Sequence, residues 1–105
     1  MKKEILKKVS DWKSVTFLEL QHIDGFRGNS SMQINPEYNH ILWDGISSVA
    51  INALQELISE KKIKMQPTSN LTYLIDGGRL NLPIVKQAGK KYKKPHWFPI
   101  VFNPF

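Results

Sequence analysis

The chain has 105 residues, no cysteine, 41% apolar residues and a formal net charge of +6 at neutral pH. A chain of this length forms one domain and buries about two thirds of its unfolded surface, so its fold needs no disulfide or metal. The lack of cysteine excludes disulfide scaffolds, cysteine zinc sites and thiol nucleophiles, and the apolar fraction excludes a wholly disordered chain.

The N-terminal part, residues 1–24, is predicted to contain two short helices. The first spans Lys2–Trp12, because apolar residues recur at helical spacing on one side and lysines occupy the other. The apolar positions are Ile5, Leu6, Val9 and Trp12. The second helix runs from about Phe17 to His22, since Thr16 and Glu19 have the spacing of a capping box, in which each side chain accepts a hydrogen bond from a backbone amide. A strand is the alternative there, because Val15–Leu18 is short and β-prone.

The middle of the chain, residues 39–76, is predicted to form a core of strand, helix and hairpin. The preceding stretch, Gly25–Asn39, is rich in Gly, Asn, Ser and Pro and is expected to be irregular, apart from a short strand at Met32–Ile34. His40–Trp43 is an apolar strand candidate that is expected to end at Asp44-Gly45.

A helix over Ser47–Glu60 is the clearest element, with Ser47 as its N-cap and apolar residues on one face. Alternation predicts a strand at Ile63–Gln66, and a turn at Pro67–Asn70 leads to a returning strand at Leu71–Ile75. Together these elements predict an α+β fold with two or three helices and a small antiparallel β-sheet.

The sequence Ala53-Leu-Gln-Glu-Leu-Ile-Ser-Glu-Lys-Lys-Ile63, followed by the predicted hairpin, resembles the last helix and wing of winged helix-turn-helix domains. The resemblance is a pattern that covers residues 47–76. It implies a winged-helix-like domain whose helix enters the DNA major groove and whose wing contacts the backbone or the minor groove. The outward side chains of this helix include no Arg or Lys, and Glu56 and Glu60 would repel phosphate, so contacts to the backbone are expected to dominate.

Charge is distributed unevenly along the chain. Nine bases balance nine acids up to Asp76, and the six remaining bases lie beyond it, in a basic and aromatic C-terminal extension, residues 79–105. A segment of one sign attracts polyanions, and aromatic side chains between lysines can stack on bases. The alternative is that the lysine run is a mobile tail that only keeps the protein soluble. The predicted nucleic-acid-binding residues are Lys61, Lys62, Lys64, Arg79, Lys86, Lys90, Lys91, Tyr92, Lys93, Lys94 and Trp97.

The end of this extension, Trp97–Phe102, is strongly apolar and has two interpretations. It packs on its own domain as an extended edge segment, because Pro95, Pro99 and Pro104 disfavour a central strand. Alternatively, it binds a protein partner or a second copy of the chain.

Other motifs give weaker indications. Gly25-Phe-Arg-Gly28 matches the Gly-x-x-Gly loop by which KH domains hold a nucleic-acid backbone, with a flexible turn as the alternative. The three histidines have no metal-ligand spacing, and the sequence contains no Gly-x-Ser-x-Gly nucleophile motif. We therefore predict no catalytic residues, no metal site and no cofactor.

The sequence thus predicts a non-enzymatic nucleic-acid-binding protein, a small regulatory or accessory factor that binds DNA rather than RNA. The alternative is a protein-protein interaction or self-associating module on the same winged-helix-like scaffold. No apolar run approaches the roughly 20 residues of a membrane-spanning helix, and the lysines after Met1 do not match a signal peptide. A cytoplasmic location with no membrane partner is expected.

Overall fold

Four α-helices and five strands make up the α+β fold in a computed structural model that describes residues 1–105. The helices and a short 3-10 turn are α1 (Lys2–Trp12), α2 (Phe17–Leu20), the turn Pro36–Tyr38, α3 (Ser48–Ser59) and α4 (Asn70–Ile75). The strands are β1 (Arg27–Gln33), β2 (His40–Ile46), β3 (Ile63–Pro67), β4 (His96–Trp97) and β5 (Ile100–Pro104). The predicted fold class is confirmed, with one more helix than expected. No helix has the length and apolar character needed to cross a membrane.

The first three helices follow the capping and periodicity signals of the sequence. In α2 the capping box is formed, since the Thr16 hydroxyl accepts from the Glu19 amide at 3.3 Å and Glu19 Oε1 accepts from the Thr16 amide at 3.4 Å. In α3 the Ser47 hydroxyl accepts from the Ala50 amide at 3.1 Å. These helices are therefore specified locally, although α2 ends two residues earlier than predicted, at Leu20.

The strands form two small sheets. One has the order β1-β2-β4, with β1 and β2 antiparallel and β2 and β4 parallel. The other pairs β3 with β5 antiparallel, from Ile63 opposite Pro104 to Pro67 opposite Ile100, and Val15 bridges to Phe102 on the far side of β5. The parallel pair was not predicted, because its two strands are far apart in the chain.

Aromatic side chains from distant segments form the centre of the core. The rings of Phe17 and Trp43 stack with centroids 6.0 Å apart, and Trp43 stacks on Tyr73 at 5.2 Å. Tyr73 meets Trp97 edge-to-face at 5.0 Å, and Phe102 meets Phe17 in the same way at 5.2 Å. This cluster joins α2, α4 and strands of both sheets.

The predicted returning strand at Leu71–Ile75 is wrong, because this segment forms α4. Its central residue Tyr73 is fully buried, and its phenol donates a hydrogen bond to the Ile100 carbonyl at 2.6 Å and accepts one from the Phe17 amide at 3.3 Å. The pairing position next to β3 is taken by β5. The hairpin on which the winged-helix pattern was based is therefore not present in the structure.

Strands β1 and β2 are both longer than predicted. β1 is polar, and Met32 is its one buried residue, so it lacks the alternation that marks a strand in sequence. β2 continues through Asp44-Gly45 to the buried Ile46, and the register between the two strands shifts opposite this stretch. These bulges let a turn-forming pair remain inside a strand.

The apolar C-terminal segment packs on its own domain, as the first of the two interpretations predicted. Trp97, Ile100 and Phe102 are at most 1% exposed. β5 is not an edge strand, however, because it is bonded to β3 on one side and to Val15 on the other. The buried side chains of this segment are not available to a partner.

Candidate nucleic-acid interface

The basic loop, defined here as residues 86–94, is held against the turn that precedes β2. His40 Nε2 donates to the Lys90 carbonyl at 2.8 Å, and the Asn39 side-chain amide donates to the Tyr92 carbonyl at 2.7 Å. The Tyr92 amide in turn donates to the Tyr38 carbonyl at 3.2 Å. Because three consecutive residues contact it, the loop has a defined position although it contains no helix or strand.

Aromatic rings add to this anchoring. Tyr92 stacks on His96 with centroids 3.7 Å apart and planes inclined by 19°, and its hydroxyl accepts from the Lys86 amide at 3.1 Å. The Lys90 ammonium lies over the Tyr92 ring at 5.3 Å, and the Lys91 ammonium lies over Tyr38 at 5.1 Å. Tyr92 is thus half-buried and already engaged, so it fixes the loop instead of presenting an open face to a base.

The lysines of the basic loop have no acidic partner. They are Lys86, Lys90, Lys91, Lys93 and Lys94, all exposed. No carboxylate lies within 4.0 Å of any of their ammonium groups, whereas Lys2, Lys7 and Lys62 form ion pairs elsewhere on the surface. Lys86, Lys90, Tyr92 and His96 also line a pocket of about 400 Å³. The loop therefore concentrates uncompensated positive charge beside a shallow cavity.

Trp97 does not belong to this exposed surface, and Arg79, although exposed, has hydrogen-bond partners of its own. Trp97 is fully buried, and its indole N–H donates to the Leu42 carbonyl at 3.2 Å, so the prediction that it stacks on a base is wrong. The Arg79 guanidinium lies 5.8 Å from the Trp97 ring and donates to the carbonyls of Leu80 and Leu82. Arg79 covers the core at this point and has only part of its donor set free.

The other predicted lysines, Lys61, Lys62 and Lys64, lie at the start of β3, whereas the basic loop lies near the end of that strand. Lys61 and Lys62 precede this strand, and the Lys62 carbonyl accepts from the Phe105 amide at 3.2 Å. Lys64 is paired with Asn103 on β5. Lys86 of the basic loop instead lines a pocket with Pro67, the last residue of β3, about 10 Å along the strand from Lys64. The cations that the sequence grouped together are therefore split between two places.

The sequence did not predict which residues lie near Lys64 at the start of β3. Trp12 was predicted to lie on the apolar face of α1, but it is 68% exposed, and the Lys8 ammonium lies 5.8 Å from its ring. Lys13 follows directly, and Ser14 binds Asn103, the pairing partner of Lys64. The only sequence feature that indicates exposure of Trp12 is its position as the last residue of α1. The residues of this helix that are buried in the core, Ile5 and Val9, both precede it.

The Gly-x-x-Gly match does not form a phosphate-binding loop between two helices. β1 begins at Arg27, and Gly28 lies against the start of α3, where a Cβ atom would be 2.5 Å from Ser47 Cα. The Ser47 amide and hydroxyl also bind the carbonyls of Phe26 and Gly25. This segment is used to fix the N-terminus of α3.

His, Asp and Glu side chains do not gather into any group of three or more that could hold a metal ion. Comparisons of the chain with protein-family models, with curated proteins and with solved structures found no match. The candidate interface therefore rests on the geometry and charge of this molecule alone.

Proposed function

We propose that this chain is a cytoplasmic, non-enzymatic nucleic-acid-binding protein that contacts the phosphate backbone through the basic loop. The observation that carries the proposal is the set of five exposed lysines within nine residues, none of them paired with an acid. The proposal does not depend on the resemblance to winged helix domains, which stays a prediction.

The anchoring of the loop strengthens this proposal. Its backbone is bonded to Tyr38, Asn39 and His40, so less conformational entropy has to be lost when the lysines bind a polyanion. Each phosphate that a lysine neutralises releases counterions, which favours binding at low salt. Contacts of this kind position a protein on nucleic acid and carry no sequence information.

Helix α3 supports backbone binding over base reading. Its exposed side includes Glu56, which binds Lys2 at 3.1 Å together with Glu60, so this face carries carboxylates. Carboxylates repel the phosphates that border the major groove. We therefore infer binding of low sequence specificity. A regulatory or accessory role, with DNA favoured over RNA, is part of the proposal.

The proposal is tested by fluorescence anisotropy with labelled duplex DNA across a salt series, with an RNA duplex measured in parallel. The logarithm of the binding constant should fall linearly with the logarithm of the salt concentration, with a slope of about −0.9 for each phosphate neutralised. The variant K93Q/K94Q removes two charges that contact no aromatic ring in the loop, and it should flatten the slope by up to about 1.8.

The matched control is K3Q/R27Q, which also removes two exposed cations without an acidic partner. Arg27 pairs with Ile46, at the opposite end of β2 from His40, and Lys3 lines a pocket with Val49 and Asn52 of α3, so both residues lie apart from the basic loop. It should leave the slope nearly unchanged. An equal effect of the two variants, or no binding at low salt, would refute the proposal.

A second candidate function, self-association, is favoured by one observation on α4. Leu71, Leu74 and Ile75 are 63%, 47% and 84% exposed and share one face of this helix, through spacings of three and four residues. The sequence suggested the C-terminal segment as the contact with a second copy, but that segment is buried, so this patch on α4 is the candidate contact instead. Light scattering tests it: a mass above 12.1 kDa that returns to that value in L71E/I75E would support self-association, and a constant mass of 12.1 kDa would exclude it.

A further inference from the structure

Trp12 is the one tryptophan whose ring is open to solvent. It is 68% exposed, while Trp43 is 7% exposed and Trp97 is fully buried. Leaving such a large ring in water is costly, because burying a large apolar side chain is worth roughly 1.5–3 kcal/mol. The core does not need Trp12, since Ile5 and Val9 already fill the buried face of α1. Its exposure is therefore a feature to be explained by something other than folding.

The position of Trp12 is fixed by the residues that follow it. Lys13 and Ser14 both have positive φ angles, of 56° and 48°, and end α1 in a tight turn. The Ser14 amide donates to Asn103 Oδ1 at 2.8 Å, and the Asn103 side-chain amide donates to Gln66 Oε1 at 2.6 Å. The end of α1 is thus bonded to the outer face of the β3–β5 sheet, on which Lys64 lies opposite Asn103.

Three lysines that form no ion pair lie at or near the end of α1. Lys8 lies over Trp12 at 5.8 Å, Lys13 follows it, and Lys64 lies across Asn103 from Ser14. None of these three has a carboxylate within 4.0 Å. The nearest acid in the chain, Asp11, is bound by Lys7 at 2.7 Å. We call Lys8, Trp12, Lys13 and Lys64 the Trp12 surface.

We propose that the Trp12 surface is a second nucleic-acid site, which takes an unpaired base of a single strand on the Trp12 ring and the flanking phosphates on its lysines. Base stacking on an aromatic ring combined with nearby lysines is the usual composition of single-strand sites. The inference rests on the proposed function for the choice of ligand class, but it concerns different residues, at the other end of β3 from the basic loop.

An anionic membrane is the competing ligand for an exposed tryptophan beside lysines. Membrane binding by a helix requires a broad apolar face. In α1 that face is buried in the core at Ile5 and Val9, which leaves one exposed ring at the end of the helix. A single ring suits a single base better than a lipid surface.

The experiment uses intrinsic tryptophan fluorescence of the full chain, because Trp12 is the solvent-exposed tryptophan and a base stacked on its ring would quench its emission. Titration with unlabelled oligo(dT) should quench this emission, and neutral polymer should not. In anisotropy measurements with labelled oligo(dT), W12A should bind about tenfold more weakly, while W12F, which keeps an aromatic face, should stay close to the parent. Affinity for duplex DNA, which presents no unpaired base, should change little in either variant.

The control variant is V49A, which truncates an apolar side chain of similar exposure, 60% against 68% for Trp12, on α3 and should leave single-strand affinity unchanged. Absence of quenching together with unchanged affinity of W12A would overturn the inference, as would quenching by phosphatidylserine vesicles and not by oligo(dT). The two proposals can fail separately. If K93Q/K94Q leaves the salt slope with duplex DNA unchanged, the basic loop is not a binding site. If W12A binds oligo(dT) as tightly as the parent, only the Trp12 surface is excluded.

Discussion

The hydroxyl of Thr16 donates a hydrogen bond of 2.6 Å to Asp76 Oδ2, across 60 residues of sequence. The same hydroxyl accepts from the Glu19 amide at the start of α2, and Asp76 is the C-cap of α4. One buried oxygen therefore caps a helix locally and connects it to a distant one. This contact explains why the capping box, a local signal, is also part of the tertiary structure.

Replacing Thr16 with valine keeps the shape of this fully buried side chain and removes both hydrogen bonds. We expect a loss of about 1–3 kcal/mol in the free energy of unfolding, since an N-cap and a bond to a charged group disappear together. Urea denaturation measures it. Thr16→Ser, which keeps the hydroxyl, should recover most of the loss; a valine variant as stable as the serine variant would contradict the role of Thr16.

Glu19 makes the stability depend on pH. Burial raises the pKa of the Glu19 carboxyl, and hydrogen bonding to the nearby Asp76 carboxylate raises it further. A raised pKa in the folded state means that stabilisation by this group is complete below about pH 4.5 and is lost as the pH rises through the folded pKa. Glu19→Gln stays neutral and keeps the acceptor for the Thr16 amide.

The glutamine variant should therefore unfold at a higher temperature than the parent at neutral pH, and the difference should vanish near pH 4. Thermal unfolding followed by circular dichroism across this range is the measurement. A variant that is less stable than the parent at neutral pH would show that the carboxylate is favourable in the folded protein.

His40 is predicted to hold the basic loop in place. It is 2% exposed and donates to the Lys90 carbonyl, and leucine would fill similar space without a donor. We expect His40→Leu to speed tryptic cleavage within the basic loop and to cost about 0.5–1.5 kcal/mol of stability, because the part-buried hydrogen bond to the Lys90 carbonyl is lost. His22→Leu, at an exposed histidine, is the control. Equal cleavage rates in the two variants would mean that the anchoring of the loop does not depend on His40.

Gly28 is predicted to be required by space, not by backbone conformation. An added Cβ would lie 2.5 Å from Ser47 Cα and 2.7 Å from its amide nitrogen, both backbone atoms that cannot rotate away. Gly28→Ala should cost about 1–3 kcal/mol in urea denaturation. Gly89→Ala, where nothing lies within 4 Å, should stay within about 0.5 kcal/mol of the parent. Similar midpoints for both variants would refute the close packing of β1 on α3.

Elements with local signals could be predicted from the sequence. Thr16 and Glu19 marked the start of α2, and Ser47 marked the start of α3, because a cap and its amide lie within three residues of each other. Strand pairings were harder, since β4 and β5 acquire partners more than 30 residues away. Leu71–Ile75 has β-prone side chains, yet it is a helix from which Tyr73 reaches the Ile100 carbonyl, 27 residues away in sequence, and no local pattern encodes that contact.

The candidate site also has some features that the sequence predicts and others that depend on the fold. The sequence by itself determined that the C-terminal extension, residues 79–105, is basic and that its lysines have no acids near them in the chain, because charge is a property of composition and order. Only the tertiary structure decided that Trp97 is internal, that Trp12 is external, and that Lys64 lies with Lys13 and apart from the basic loop. Exposure and proximity depend on which surfaces are buried against each other, and that is set by contacts between residues distant in sequence.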